Sequence, residues 1–168
     1  MKRLMKWELL GFVWTGIMGV LLHFAYEWLG EGRVVALFAA VNESTWEHLK
    51  LLFVPEALFS IAEYWYIREW YPGLLRERVK GILLGMAAIV VGFYTYSGVW
   101  GNNISCVDIG LFFVGAGIVG WYVLRRREAA EEEDSWIPAI LVLAAVMLCF
   151  MVFTFWPPDI GLFWDPSV

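Results

Sequence analysis

Apolar residues along this chain fall into blocks of about twenty, the length that spans the hydrocarbon core of a bilayer, and short polar clusters separate the blocks. Five stand out, at positions 7–29, 45–67, 79–99, 104–124 and 136–156. The pattern predicts an all-α fold: a polytopic membrane helix bundle of about five transmembrane helices, forming one integral membrane domain over 1–168. No linker is long enough to divide it, and no inverted repeat of the kind found in many transporters is visible. The first block is too long for a signal peptide, and no small-residue cleavage site follows it.

The segment between the first two blocks breaks the pattern. Residues 34–41, Val-Val-Ala-Leu-Phe-Ala-Ala-Val, are too few to cross a bilayer yet too apolar for an ordinary exposed loop. Two readings follow: a re-entrant half-helix dipping into the outer leaflet, or a half-helix lying flat at the interface. Irregular backbone at membrane depth is tolerated only against protein or a wet cavity.

A dense polar run then opens the second block: Asn42, Glu43, Ser44, Thr45, Trp46, Glu47, His48, Leu49, Lys50. Ser44 followed three residues later by Glu47 reads as a capping box, so a helix is expected to start at Ser44 with Glu47 returning to the Ser44 amide. Capping does not call for Asn42, Glu43 and His48 as well. Trp46 reads either as part of this site or as an interfacial anchor.

Composition supports the membrane reading. The 168 residues are 61% hydrophobic and include 11 Trp, 12 Phe and 7 Tyr, more aromatic bulk than a soluble domain of this size needs. Lys and Arg gather in cytoplasmic loops. An N-in, C-out arrangement places Lys2, Arg3, Lys6, Arg68, Arg76, Arg78, Lys80, Arg125, Arg126 and Arg127 inside, 10 of the 12 basic residues, leaving Arg33 and Lys50 outside. The expected location is the cell's cytoplasmic membrane, crossed several times. The net charge of −5 comes largely from Glu128 and the 131–134 acidic run, a solvated turn. With no basic stripe, nucleic acid is excluded as a partner. The expected partners are the lipid bilayer, a small cation or solute, and a second copy of the chain.

Glycines mark the packing faces. Gly81, Gly85 and Gly92 share one face of the third block, and Gly110 with Gly117 one face of the fourth; small residues let membrane helices approach closely. Cys106 and Cys149 lie on different blocks without CxxC spacing and read as buried, inert thiols. The Trp- and Pro-rich tail at 155–166 reads as a segment lying on the outer surface, where it would also lid an opening on that side.

Ionisable groups at hydrocarbon depth are costly and mark functional sites. His23 and Glu27 are one turn apart on the outer half of the first block. Glu56 lies about 18 Å along the axis from Ser44, near mid-membrane. Asp108 stands at the outer end of the fourth block, beside Asn102 and Asn103. At 100° per residue, His48 falls about 80° from Glu56, whereas Glu47 points the opposite way. The expected site is an outward-facing polar pocket in which His48 and Glu56 are central and face His23, Glu27 and Asp108. Glu63 reads as an inner-end group that snorkels or pairs with Arg68. Carboxylates outnumber cations here, which favours a proton, an organic cation or a divalent metal. His48, His23 and Glu27 form a zinc-type donor set. The alternatives for these residues are structural: His23–Glu27 as a neutralising pair, and Asp108 bonded to a neighbouring Asn or Trp.

The run Asn-Glu-Ser-x-Trp-Glu-His-Leu-Lys-Leu at 42–51, with Phe53, Pro55 and Glu56 following, resembles the signature of a family of small bacterial and archaeal integral membrane proteins of unknown function. That resemblance implies a membrane fold and no activity. A remoter one is to the membrane metal hydrolases that include alkaline ceramidases, which place Ser-xxx-His at a zinc site; Ser44 and His48 have that spacing. Those proteins carry a late His-xxx-His pair, whereas this chain has two histidines in all. Three functions follow: a membrane protein whose pocket binds a cation, metal or proton-coupled solute; an intramembrane metal-dependent hydrolase with Glu47 or Glu56 as base; or a non-catalytic structural subunit.

Overall fold

The computed structural model of the chain describes residues 2–132 and 135–165. Among them every regular element is helical. Five long helices, α1 (Lys2–Trp28), α3 (Thr45–Ile67), α4 (Leu74–Trp100), α5 (Ser105–Arg125) and α7 (Ile137–Phe155), correspond closely to the five apolar blocks. Short pieces join them: α2 (Arg33–Ala36), α6 (Arg127–Glu131) and a 3-10 turn at Gly161–Phe163.

The five are not equivalent. α1, α4, α5 and α7 are long and apolar enough to cross a membrane. α3 is as long but carries Glu47, Lys50, Glu56 and Glu63, and it forms the centre of the bundle. Fourteen of its 23 residues are buried, against three of the 19 in α7. Leu49, Leu52 and Phe53 of α3 meet Val79 and Ile82 of α4, Val119 of α5, and Leu143 and Phe150 of α7 in the main core. The outer surface is apolar instead, with Leu9, Ile17, Val91, Val114 and Leu141 all exposed. That inversion fits a lipid bilayer as the surroundings.

α1 and α3 pair antiparallel over their whole length. His23 lies against His48, Gly19 against the Leu51 carbonyl, Trp14 against Pro55, Thr15 against Glu56, and Gly11 against Phe59. Pro55 within α3 cannot donate to the Leu51 carbonyl one turn earlier. A methyl at Gly19 would sit 3.0 Å from that oxygen, so glycine is what brings α1 this close. The Pro55 carbonyl accepts from the Trp14 indole at 3.0 Å.

α4 and α5 meet just as tightly. A methyl at Gly85 would lie 2.7 Å from the Gly115 carbonyl oxygen, and one at Gly81 3.1 Å from that of Val119. The α4 glycines thus pack as their spacing predicts. On α5 the contact falls to Gly115, whereas Gly110 and Gly117 face open space or a distant ring. Cys106 and Cys149 are free and exposed on the bundle surface rather than buried.

Segment 34–41 departs from a half-helix. Only α2 is helical; Ala36, Ala39 and Ala40 are buried while Val34 and Phe38 are exposed. The reason is Lys50, whose ammonium takes the Ala36 and Ala39 carbonyls at 2.8 and 3.1 Å and so satisfies backbone that a continuing helix would have paired. The tail is held down as well. The Gly161 carbonyl accepts from Tyr94, the Glu43 amide donates to Asp165 at 3.3 Å, and Phe163 packs on Trp46.

Candidate functional site

The polar groups expected in one pocket are spread through the bundle, most of them in three clusters.

The first surrounds Lys50. Ser44 caps α3, accepting from the Glu47 amide at 3.3 Å as expected. The reciprocal half of the capping box is absent, because the Ser44 amide donates to Asn42 at 3.0 Å. The Glu47 carboxylate is taken elsewhere: it accepts from the Val41 amide, pairs with Lys50 at 2.6 Å and accepts from Thr154 of α7 at 2.9 Å. Lys50 also donates to the Thr154 hydroxyl at 2.7 Å. One cation and one anion, both buried, are therefore fully hydrogen-bonded. Trp46 closes this end among Phe150, Phe153 and Phe163, half-buried, with no partner for its indole N–H among the described residues.

The second lies deep in the bundle. Arg78 of α4 donates to Glu63, to Glu8 at 2.9 Å and to Glu56 at 3.4 Å. Glu56 also accepts from Thr15 at 2.9 Å. All four charged side chains are at most 4% exposed. Three predictions are corrected by this cluster. Glu56 belongs with Arg78 rather than with His48, because a little over two further turns of α3 carry it down beside α4. Glu63 pairs with Arg78 and not with Arg68, whose guanidinium stacks on Trp65. Arg78 itself is a buried bundle residue, not a loop cation, since α4 begins five residues before the apolar block does. Glu8 is absent from the residues the sequence marks as a site, and Arg78 reads there only as a cytoplasmic cation.

The third sits at the opposite end of the α1–α3 pair. The His23 and His48 rings are 5.2 Å apart, and His48 Nε2 lies 3.4 Å from Glu43 Oε2. Donor atoms of His23, Glu43 and His48 all fall within 4.8 Å of one another. His48 Nδ1 is 3.1 Å from the Ser44 carbonyl. A carbonyl can only accept, so Nδ1 donates there and Nε2 is the ring atom that faces Glu43. His23 Nδ1 is buried without a partner among the described residues.

Of the residues expected in one pocket, the structure thus gathers His23, His48 and Glu43. Glu27 stays exposed and outside this set. Its place is taken by Glu43, which the turn held by Asn42 swings back over His48. Asp108 accepts from Tyr96 of α4, a structural bond to Tyr rather than to Asn or Trp. Ser44, Trp46 and Glu47 shape the end of α3 beside the set without entering it.

The chain belongs to a family of unknown function, DUF6512, whose model matches residues 1–168. No curated protein and no solved structure matches it significantly.

Proposed function

We propose that this member of a family of unknown function is a multi-pass protein of the cytoplasmic membrane that binds a transition-metal ion at its outer end, through His23, Glu43 and His48. The observation that carries this reading is the convergence of three donors from α1, α3 and the loop before α3 to within 4.8 Å. Two imidazoles and a carboxylate match the preferences of zinc and its neighbours, with room for a water or substrate as a fourth ligand. The His48 Nδ1–Ser44 carbonyl contact supplies the outer hydrogen bond that commonly orients a metal-bound histidine. The tail over Trp46 and Glu43 supports the idea of a lid at this end.

The outward placement rests on the Lys and Arg distribution, and the buried positions of Arg78 and Lys50 sharpen it. With both removed from the loop tally, nine basic residues remain on the inner side and Arg33 alone on the outer.

The hydrolase reading has less support. Glu47 is occupied by Lys50 and Thr154, and Glu56 by Arg78 and Thr15, so neither stands beside the histidines as a base. For Ser44, Glu47 and Lys50 a structural role is the better reading.

Elemental analysis of untagged, chelator-free protein tests the proposal. About one equivalent of metal is expected, lost in His48→Ala, weakened at least about tenfold in Glu43→Gln, and retained in Glu27→Gln. Metal-free wild-type protein that also fails to take up added zinc would overturn it.

A further inference from the structure

The Arg78 cluster has more negative charge than its surroundings can balance. Glu8 from α1 and Glu56 with Glu63 from α3 face a single guanidinium. Among the described residues no further cation pairs with these carboxylates. Lys50, the other buried cation, is committed to Glu47. α5 presents Gly120 to Glu8, and α7 carries no acidic or basic side chain. Thr15 and Ser60 are the neutral polar neighbours, and Ser60 is turned to the Glu56 carbonyl. With all three carboxylates ionised, two uncompensated charges would sit inside the bundle, where each costs several kcal/mol to desolvate. Buried groups in that position give up their charge instead.

Hydrogen bonding indicates which ones. Both oxygens of Glu56 receive donors, one from Thr15 and one from Arg78, as suits an ionised counter-ion. Glu8 and Glu63 each use one oxygen toward Arg78 and leave the other, Oε2 and Oε1, buried with no partner among the described residues. Beside the free Glu8 oxygen stands Gly120, where even a methyl group would come to 3.3 Å. Glycine therefore keeps space open at the atom that lacks a partner.

We propose that this cluster is a proton-binding site, in which Glu56 is the fixed counter-ion of Arg78 and Glu8 and Glu63 carry exchangeable protons on their free oxygens. It lies roughly 22 Å along α1 from His23, so it stands or falls separately from the metal site.

Infrared spectroscopy of the full-length protein in lipid nanodiscs tests this directly. At neutral pH the wild type should show a neutral-carboxyl C=O band that shifts when the sample is moved into heavy water. The band should weaken in Glu8→Gln and in Glu63→Gln, and vanish in the double variant. An amide replaces a neutral acid almost isosterically, so each single variant should melt within about 3 °C of wild type. Absence of the band, its persistence in the double variant, failure to exchange in heavy water, or its loss on adding sodium at fixed pH would each overturn the proposal. So would a large drop in melting temperature in both single variants, which would mark the two glutamates as ionised partners of Arg78.

Discussion

The bundle buries two cations, and their settings differ. Lys50 has one carboxylate, two carbonyls and a hydroxyl around it, and its charge is balanced by Glu47 alone. Arg78 has three carboxylates and leaves polar atoms on two of them unpaired. A balanced, saturated pair locks geometry: it pins the 34–41 turn and α7 to the start of α3. An unbalanced cluster with free acceptors retains capacity for a ligand. The same chemistry, a cation among carboxylates inside a membrane-type bundle, thus serves structure at one end of α3 and exchange at the other.

The difference can be broken from either side. Arg78→Met should have the largest effect, because it strands three carboxyl groups at once. The expected loss is at or above the roughly 3–5 kcal/mol typical of breaking a buried pair, read by equilibrium unfolding in mixed micelles. Lys50→Met should cost about 3–5 kcal/mol by the same measurement. Adding Glu47→Gln should restore most of it, since removing both members of a balanced pair is often neutral. Glu56→Gln should rescue Arg78→Met only in part, because the neutral Glu8 and Glu63 still lose their donor; an equal or better rescue by Glu8→Gln or Glu63→Gln would mean that Glu56 is not the ionised member of the cluster. Thr15→Val should have the smallest effect, about 1–3 kcal/mol from the unsatisfied Glu56 oxygen. A neutral result there would mean that Glu56 is not ionised.

The fold was largely legible in the sequence because crossing a bilayer is a one-dimensional requirement of length and apolarity. All five blocks are helices, with ends within five residues of the predicted ones. The site was legible only where its signal was local. Ser44 and the α3 start followed from capping chemistry, but the fate of Glu47 depended on Thr154, 107 residues away. Glu43 was named without its role as the third donor, although Asn42 two residues before Ser44 is a turn signal that folds it back. Arg78 was missed because apolarity defined the block and trimmed the first turn of α4. A stripe on α1 pointed to the cluster: Leu4, Glu8, Gly11, Thr15, Gly19 and His23 recur every three or four residues, and the first five of them are the buried positions of that helix. Small and polar residues at helical spacing in an apolar segment mark a face turned toward protein. Three carboxylates within apolar blocks also called for a cation at the same depth.

The polarity of α3 bears on how the chain enters its membrane. A charged residue near the centre of an isolated spanning helix costs about 2.5–3.5 kcal/mol on translocon scales, and α3 carries four. Its two deeper carboxylates find their cation only in Arg78, 11 residues beyond the end of α3. An α3 released alone from the insertion machinery would face lipid with those groups unmatched. Pairing with α4 would relieve that cost, so insertion of α3 and α4 together as a helical hairpin beside α1 is the expected order.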